Sequence, residues 1–160
     1  MSGNCNQARD ERAAIELVVR YATALDARDW AGFRSLFLDE IHIDYGSLGS
    51  INAILSADDW VKRCTALSGF DGTLHKVTNF LCTTTVDRAT VQSYVDAAHF
   101  LSIGDEELNA FACGIYRHEM ARRGDTWKIA KVTFKLVGQP GGAAAFGRAF
   151  ARAREIAGAR

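Results

Sequence analysis

The chain has 160 residues, 48% of them hydrophobic and 24% charged, with 19 Lys and Arg against 19 Asp and Glu. That length suits one domain with a sizeable core, and the balanced charge argues against nucleic acid as the main partner, because neutralising phosphates needs a basic surface. The opening stretch MSGNCNQARDERAA lacks the apolar segment of a signal peptide and no apolar run is long enough to span a bilayer, so a cytoplasmic location without membrane contact is expected.

The first helical pattern runs from Ala8 to Ala27. Ala14, Ile15, Val18, Val19, Ala22 and Leu25 recur at helical spacing, and Asp10, Glu11 and Glu16 favour the N-terminal half electrostatically. Tyr21 lies one turn from Leu25 and faces inward, and Asp26 sits at the helix end. Asp29 reads as the N-cap of a short helix, Trp30 to Phe37. In EIHIDYGS the alternation sets Ile41, Ile43 and Tyr45 on one face and His42 and Asp44 on the other. SADDW repeats the helix-start signal, with Ser56 as cap and Asp58 and Asp59 in the first turn; that helix is expected to end near Leu67, before the Gly69–Gly72 turn. His75 follows this turn at the start of a strand-like run.

Leu74 to Val137 is β-like throughout and divides at Asp87-Arg88, Gly104-Asp105 and Gly124-Asp125. Long strands joined by hairpins imply a strongly curved antiparallel sheet. The fold class read from this order is α+β, a curved antiparallel sheet wrapped around helices into a cone-shaped barrel whose apolar interior opens at one end. One domain over 1–160 is expected, with its core at about 8–138. The Ala/Arg-rich tail, 141–160, has Phe146 and Phe150 one helical turn apart and reads as a packed helix or a frayed one. Tyr94, Phe100 and Phe134 are candidates for the outer sheet face.

Several chemistries lack their signatures. Cys5, Cys64, Cys82 and Cys113 form no CxxC pair and read as reduced, mostly buried thiols. His118-Glu119 has no second histidine at helical spacing, and the His42–Asp44 pair points away from the apolar side, so no metal is expected. No Gly-rich phosphate loop occurs, and no cofactor is implied. Asn79 shares the strand face of His75 by the period of two, while His99 alternates with Val95, Ala97 and Leu101 on an apolar face. The tail arginines Arg148, Arg152, Arg154 and Arg160 read as a solvated face.

The succession YATALDARDWAGFRSLFLDEIHIDYG, HKVTN, SYVDAAHF and YRHEMARRGDTWKI resembles the SnoaL-like branch of the nuclear-transport-factor-like superfamily, over roughly Glu11 to Val137. That branch includes polyketide cyclases, scytalone dehydratase, bile-acid dehydratase and hexachlorocyclohexane dehydrochlorinase. The resemblance implies a His–Asp dyad of His75 and Asp26, with Tyr21 and Tyr45 as catalytic pocket tyrosines. It also implies His99 as a second pocket histidine and Arg122 or, preferably, Arg123 as a substrate-binding arginine; Asn79 joins them as a lining residue. Tyr21 stands where the dehydrochlorinase has a lysine, so halide elimination is not expected. The function so implied is a cofactor-independent lyase or isomerase acting on a small hydrophobic oxygenated molecule by His–Asp base catalysis. The alternative is a non-catalytic binding or assembly domain of the same fold. A homodimer or homotrimer is implied as well.

Overall fold

The computed structural model describes residues 2–159, with side chains from Asn6 onward; Cys5 and Arg160 lie outside the described side chains. A long helix opens the chain, α1 (Ser2–Ala27), beginning earlier than its apolar stripe requires. Ala14, Leu17, Val18, Tyr21, Ala22 and Leu25 form its buried face, whereas Val19 is largely exposed because it falls just off that stripe. The helix α2 (Trp30–Ser35) follows, with the Asp29 carboxylate accepting from the Gly32 N–H as expected of a cap. The strand β1 (Phe37–Asp44) starts where α2 was expected to continue, and it buries Ile41 and Ile43 on its inner face.

A short strand that alternation did not reveal, β2 (Asn52–Ser56), returns antiparallel to β1 along the sheet edge. Ser56 then caps α3 (Ala57–Cys64) by accepting from the Asp59 N–H, and a 3-10 turn, Thr65–Gly69, completes the helical stretch. The remaining strands are β3 (Gly72–Thr84), β4 (Arg88–Phe100), the two-residue pair β5 (Ser102–Ile103) and β6 (Glu106–Glu107), β7 (Ala110–Arg123) and β8 (Thr126–Gly138). The turns fall at the three expected places.

The main sheet has the order β2-β1-β8-β7-β4-β3. It is mixed rather than antiparallel: β1 runs parallel to β8, a pairing that joins the N-terminal half to the last strand and leaves no local signature. Of the four register shifts in the sheet, two decide which way side chains face. One sets Ala130 of β8 outside the register between Met120–Ile129 and Glu119–Lys131, so the inward set changes from Trp127 and Ile129 to Val132 and Phe134. The other lies in β3 between Thr78 and Leu81. Phe134 is therefore buried inside, correcting its assignment to the outer face, where Tyr94 and Phe100 are indeed exposed.

The tail is ordered as α4 (Gly142–Gly158) and buries Ala149 and Ala153. It packs against the 3-10 turn, where Gly69 meets the backbone of Ala153 so closely that a Cβ would collide with its carbonyl. Among the described residues no helix is long and apolar enough to cross a membrane, and no cluster of three or more His, Cys, Asp and Glu could hold a metal ion. Among the described side chains Cys64, Cys82 and Cys113 are free thiols, the first buried and the others partly so.

Candidate active site

The concave sheet face and the helices frame a half-open cavity of about 660 Å³. Its space arises from small side chains: Ala97 on β4 and Ala112 on β7 line it where larger residues would have filled the cone. Such a volume lies in the range of small-molecule sites.

Asp26 ends α1 beside β3, and three hydrogen bonds fix its carboxylate. Oδ1 accepts from His75 Nδ1 at 2.7 Å and from Thr73 Oγ1 at 2.9 Å, and Oδ2 accepts from the His75 backbone N–H at 2.8 Å. Burial by itself would raise the Asp26 pKa, but the hydrogen bonds from the His75 side chain and backbone, its charge and Thr73 together hold it below the usual carboxylate value. An ionised Asp26 makes Nδ1 the protonated nitrogen of a neutral His75, which leaves Nε2 with a lone pair. Only 5% of the His75 side chain is exposed, and it lines the cavity.

Arg28, just past the helix end, holds this corner together. Its backbone is left-handed (φ 55°), and its guanidinium donates to the carbonyls of Asp26, Leu67 and Phe70 at 2.9, 3.2 and 3.0 Å. One side chain thereby ties the end of α1 to the 3-10 turn across the cavity wall.

His99 stands diagonally across the strand pair from His75, their rings edge to face with centroids 5.2 Å apart. Its Nδ1 donates to the Ala110 carbonyl at 3.0 Å, so Nε2 is the free acceptor of the neutral ring. Burial, followed by the positive charge that His75 can carry, pulls its pKa down to about 4. Phe146 and Phe150 of α4, themselves stacked, cover His99 from above.

Three tyrosines make a hydroxyl chain on the cavity wall. Tyr21 and Tyr45 hydroxyls lie 3.0 Å apart, and Tyr45 donates to Tyr116 at 3.2 Å. With Tyr45's single proton engaged there, Tyr21 must donate to Tyr45, and Tyr116 keeps the chain's unspent O–H. Burial raises Tyr21 and Tyr45 well above the ordinary phenol pKa and Tyr116 to about 12, so all three remain donors at neutral pH.

A model of the SnoaL-like domain matches residues 6–133. The chain belongs to the SnoaL-like domain family. An uncharacterized protein of Mycobacterium tuberculosis is 26% identical over 118 residues, which cover 72% of this chain and 78% of that protein. A solved structure from Kribbella flavida superposes with a TM-score of 0.79 at 26% identity, covering 88% of this chain and 99% of the other. A candidate scytalone dehydratase from Novosphingobium aromaticivorans gives a TM-score of 0.72 at 20% identity, covering 82% and 87%. A hexachlorocyclohexane dehydrochlorinase gives 0.69 at 17%, covering 85% and 90%. At such identities the last two speak for the shared fold alone.

Of the residues singled out from sequence, His75, Asp26, Tyr21, Tyr45 and His99 converge on the cavity or on a residue that lines it. Asn79 does not: the β3 irregularity breaks the period of two, and Asn79 is exposed with a left-handed φ of 54°. Arg123 does not either. It is exposed at the far hairpin and donates to the Arg122 carbonyl, while Arg122 pairs with Asp10 and covers Trp127. Sequence reasoning overlooked Tyr116, Thr73 and Arg28. Tyr116 alternates with Gly114 and His118 along β7, a signal that strand periodicity could have supplied.

Proposed function

We propose that the protein is a lyase, of the dehydratase kind, or an isomerase acting on a small hydrophobic oxygenated molecule such as a polyketide, steroid or aromatic compound. The observation that carries this reading is the 2.7 Å contact of His75 Nδ1 with Asp26 Oδ1, in a cavity that also holds the tyrosine hydroxyls. His75 Nε2 removes a proton from carbon α or vinylogous to a carbonyl. Asp26 holds the tautomer and stabilises the imidazolium as it forms. Tyr116, with its unspent O–H and with Tyr45 and Tyr21 donating behind it, stabilises the enolate oxygen or protonates a departing hydroxide. Neutral His99 offers an acceptor for a substrate hydroxyl. These side chains alone supply the base and the acid that such a step requires.

The test is proton exchange. Cyclic ketones, enones and hydroxylated aromatics are incubated with the protein in D₂O, and deuterium uptake at the α carbon is followed by NMR. Uptake that falls sharply in His75→Ala and in Asp26→Asn supports the assignment. Uptake retained in His75→Ala, or binding of these compounds with no exchange in the wild type, rejects it in favour of a binding domain.

A further inference from the structure

We propose that the natural ligand carries an anionic group, a carboxylate or a phosphate, which remains at the cavity mouth while the apolar body occupies the cone. The proposal rests on the cavity as the ligand site, the same site as in the function proposed above, but not on His75 as base. Three cations line the opening: Lys62 and Arg63 from α3, and Arg154 from α4. All three are exposed. No Asp or Glu lines the cavity, although the chain has as many acids as bases.

What sets these three apart is their convergence, since the side chains of Arg9, Arg20 and Arg148 are likewise unpaired among the described residues but do not line the cavity. Arg34, Arg122 and Arg152 pair with carboxylates, and Arg28 is spent on three carbonyls. Among the described residues, no ion pair or hydrogen bond engages the side chains of Lys62, Arg63 or Arg154; Lys62 only accepts from the Thr65 hydroxyl at its backbone carbonyl. Lys62 and Arg63 also suit the C-terminal turn of α3, whose carbonyls favour positive charge. That preference does not account for Arg154, which comes from a separate helix to the same opening and was expected simply to face solvent. Unpaired cations converging on the mouth of a low-dielectric cone focus a positive potential where a ligand enters. Beyond them the lining is mostly uncharged, with phenolic tyrosines, phenylalanines, alanines and neutral His99; the exception is His75, with the Asp26 carboxylate behind it. An amphiphilic anion matches both parts, and a ligand that is charged throughout matches neither.

The experiment uses two fluorescent probes of the same shape class, anilinonaphthalene sulfonate and uncharged N-phenylnaphthylamine. Affinities are measured for the wild type, for the combined variant Lys62→Gln, Arg63→Gln and Arg154→Gln, and for Arg148→Gln as a control away from the cavity. The expected result is a loss of about tenfold in affinity for the sulfonate in the combined variant, since exposed charges contribute modestly one by one. Affinity for the neutral probe stays unchanged, as do both affinities in Arg148→Gln. Added salt weakens only the sulfonate. Equal effects on both probes, no effect on either, or NMR shifts on titration that avoid Tyr116 and His99, overturn the proposal. Displacement by naphthylacetate and by naphthyl phosphate then tells carboxylate from phosphate. The His75→Ala variant retains the anion preference, so failure of the base assignment and failure of this inference are separable.

Discussion

His75 and His118 lie on the inner face of one sheet, both buried, and they differ in what each ring nitrogen meets. His75 has a carboxylate locked onto Nδ1 and a cavity beside it, whereas neither ring nitrogen of His118 finds a hydrogen-bond partner among the described residues. The His118 ring is wedged instead against the rings of Tyr21 and Tyr116, with centroids 5.0 and 5.3 Å away. Burial pulls its pKa down to about 3. Burial by itself therefore does not suit a histidine to the role of base proposed for His75. That role calls for a fixed acceptor on one nitrogen and open space before the other.

The sharpest way to break this comparison is to delete each ring in turn. With a ketone that the wild type deuterates, His75→Ala is expected to lower the exchange rate by about 10²–10⁴-fold, the usual worth of a positioned base. His118→Leu is expected to leave the rate within a few-fold, because that ring touches no reacting atom. Similar losses in both variants, measured in the same NMR assay, would erase the distinction.

Acid unfolding sharpens it from the side of stability. His99 at about 4 and His118 at about 3 are both depressed below the ordinary imidazole value near 6.5. The unfolded chain then binds protons that the folded chain refuses, so stability is full above about pH 6.5 and is lost as pH falls toward 4 and below, by several kcal/mol in all. Asp26, also depressed, adds a loss in the same direction below the ordinary carboxylate pKa. His118→Leu removes one of these groups, so denaturant titrations should show a shallower loss between pH 6.5 and 4. At neutral pH it should gain about 1 kcal/mol, since a buried unpaired imidazole is replaced by an apolar side chain of similar size.

Two smaller effects concern what surrounds the rings. Gly69→Ala drives a methyl group into the Ala153 carbonyl and should cost about 1–3 kcal/mol. Because α4 also covers His99 through Phe146 and Phe150, the loss should appear both in Tm and in faster proteolysis of α4; unchanged values for both would show that α4 adjusts freely. Tyr116→Phe removes the terminal hydroxyl of the tyrosine chain. Its stability cost should be only about 0.5–1.5 kcal/mol, by thermal or denaturant unfolding, while exchange of a bound ketone slows. A rate equal to the wild type would hand the donor role to Tyr21 or Tyr45.

Local patterns carried much of the fold. The helical stripe around Tyr21, the caps Asp29 and Ser56, and the three hairpin turns all lie in short windows of sequence, where side-chain period and turn chemistry act directly. They failed where geometry departs from a uniform period. The β3 irregularity removed Asn79 from the His75 face, and the one in β8 turned Phe134 inward. The pocket role of Arg123 rested on correspondence with relatives alone, and the strand end carries it away from the cavity.

The chain's order of residues by itself determined an α+β layout, an inward Tyr21 and an inner strand face bearing His99, because each follows from neighbours a few positions apart. The family resemblance paired Asp26 with His75, and the folded structure supplied the contact across 49 residues; only the structure decided that Tyr45 finds Tyr116 across 71, that β1 runs parallel to β8, and that α4 closes over the cavity. These contacts depend on sheet curvature and helix docking. No local window encodes them, since their free energy is gained only when distant segments pack together.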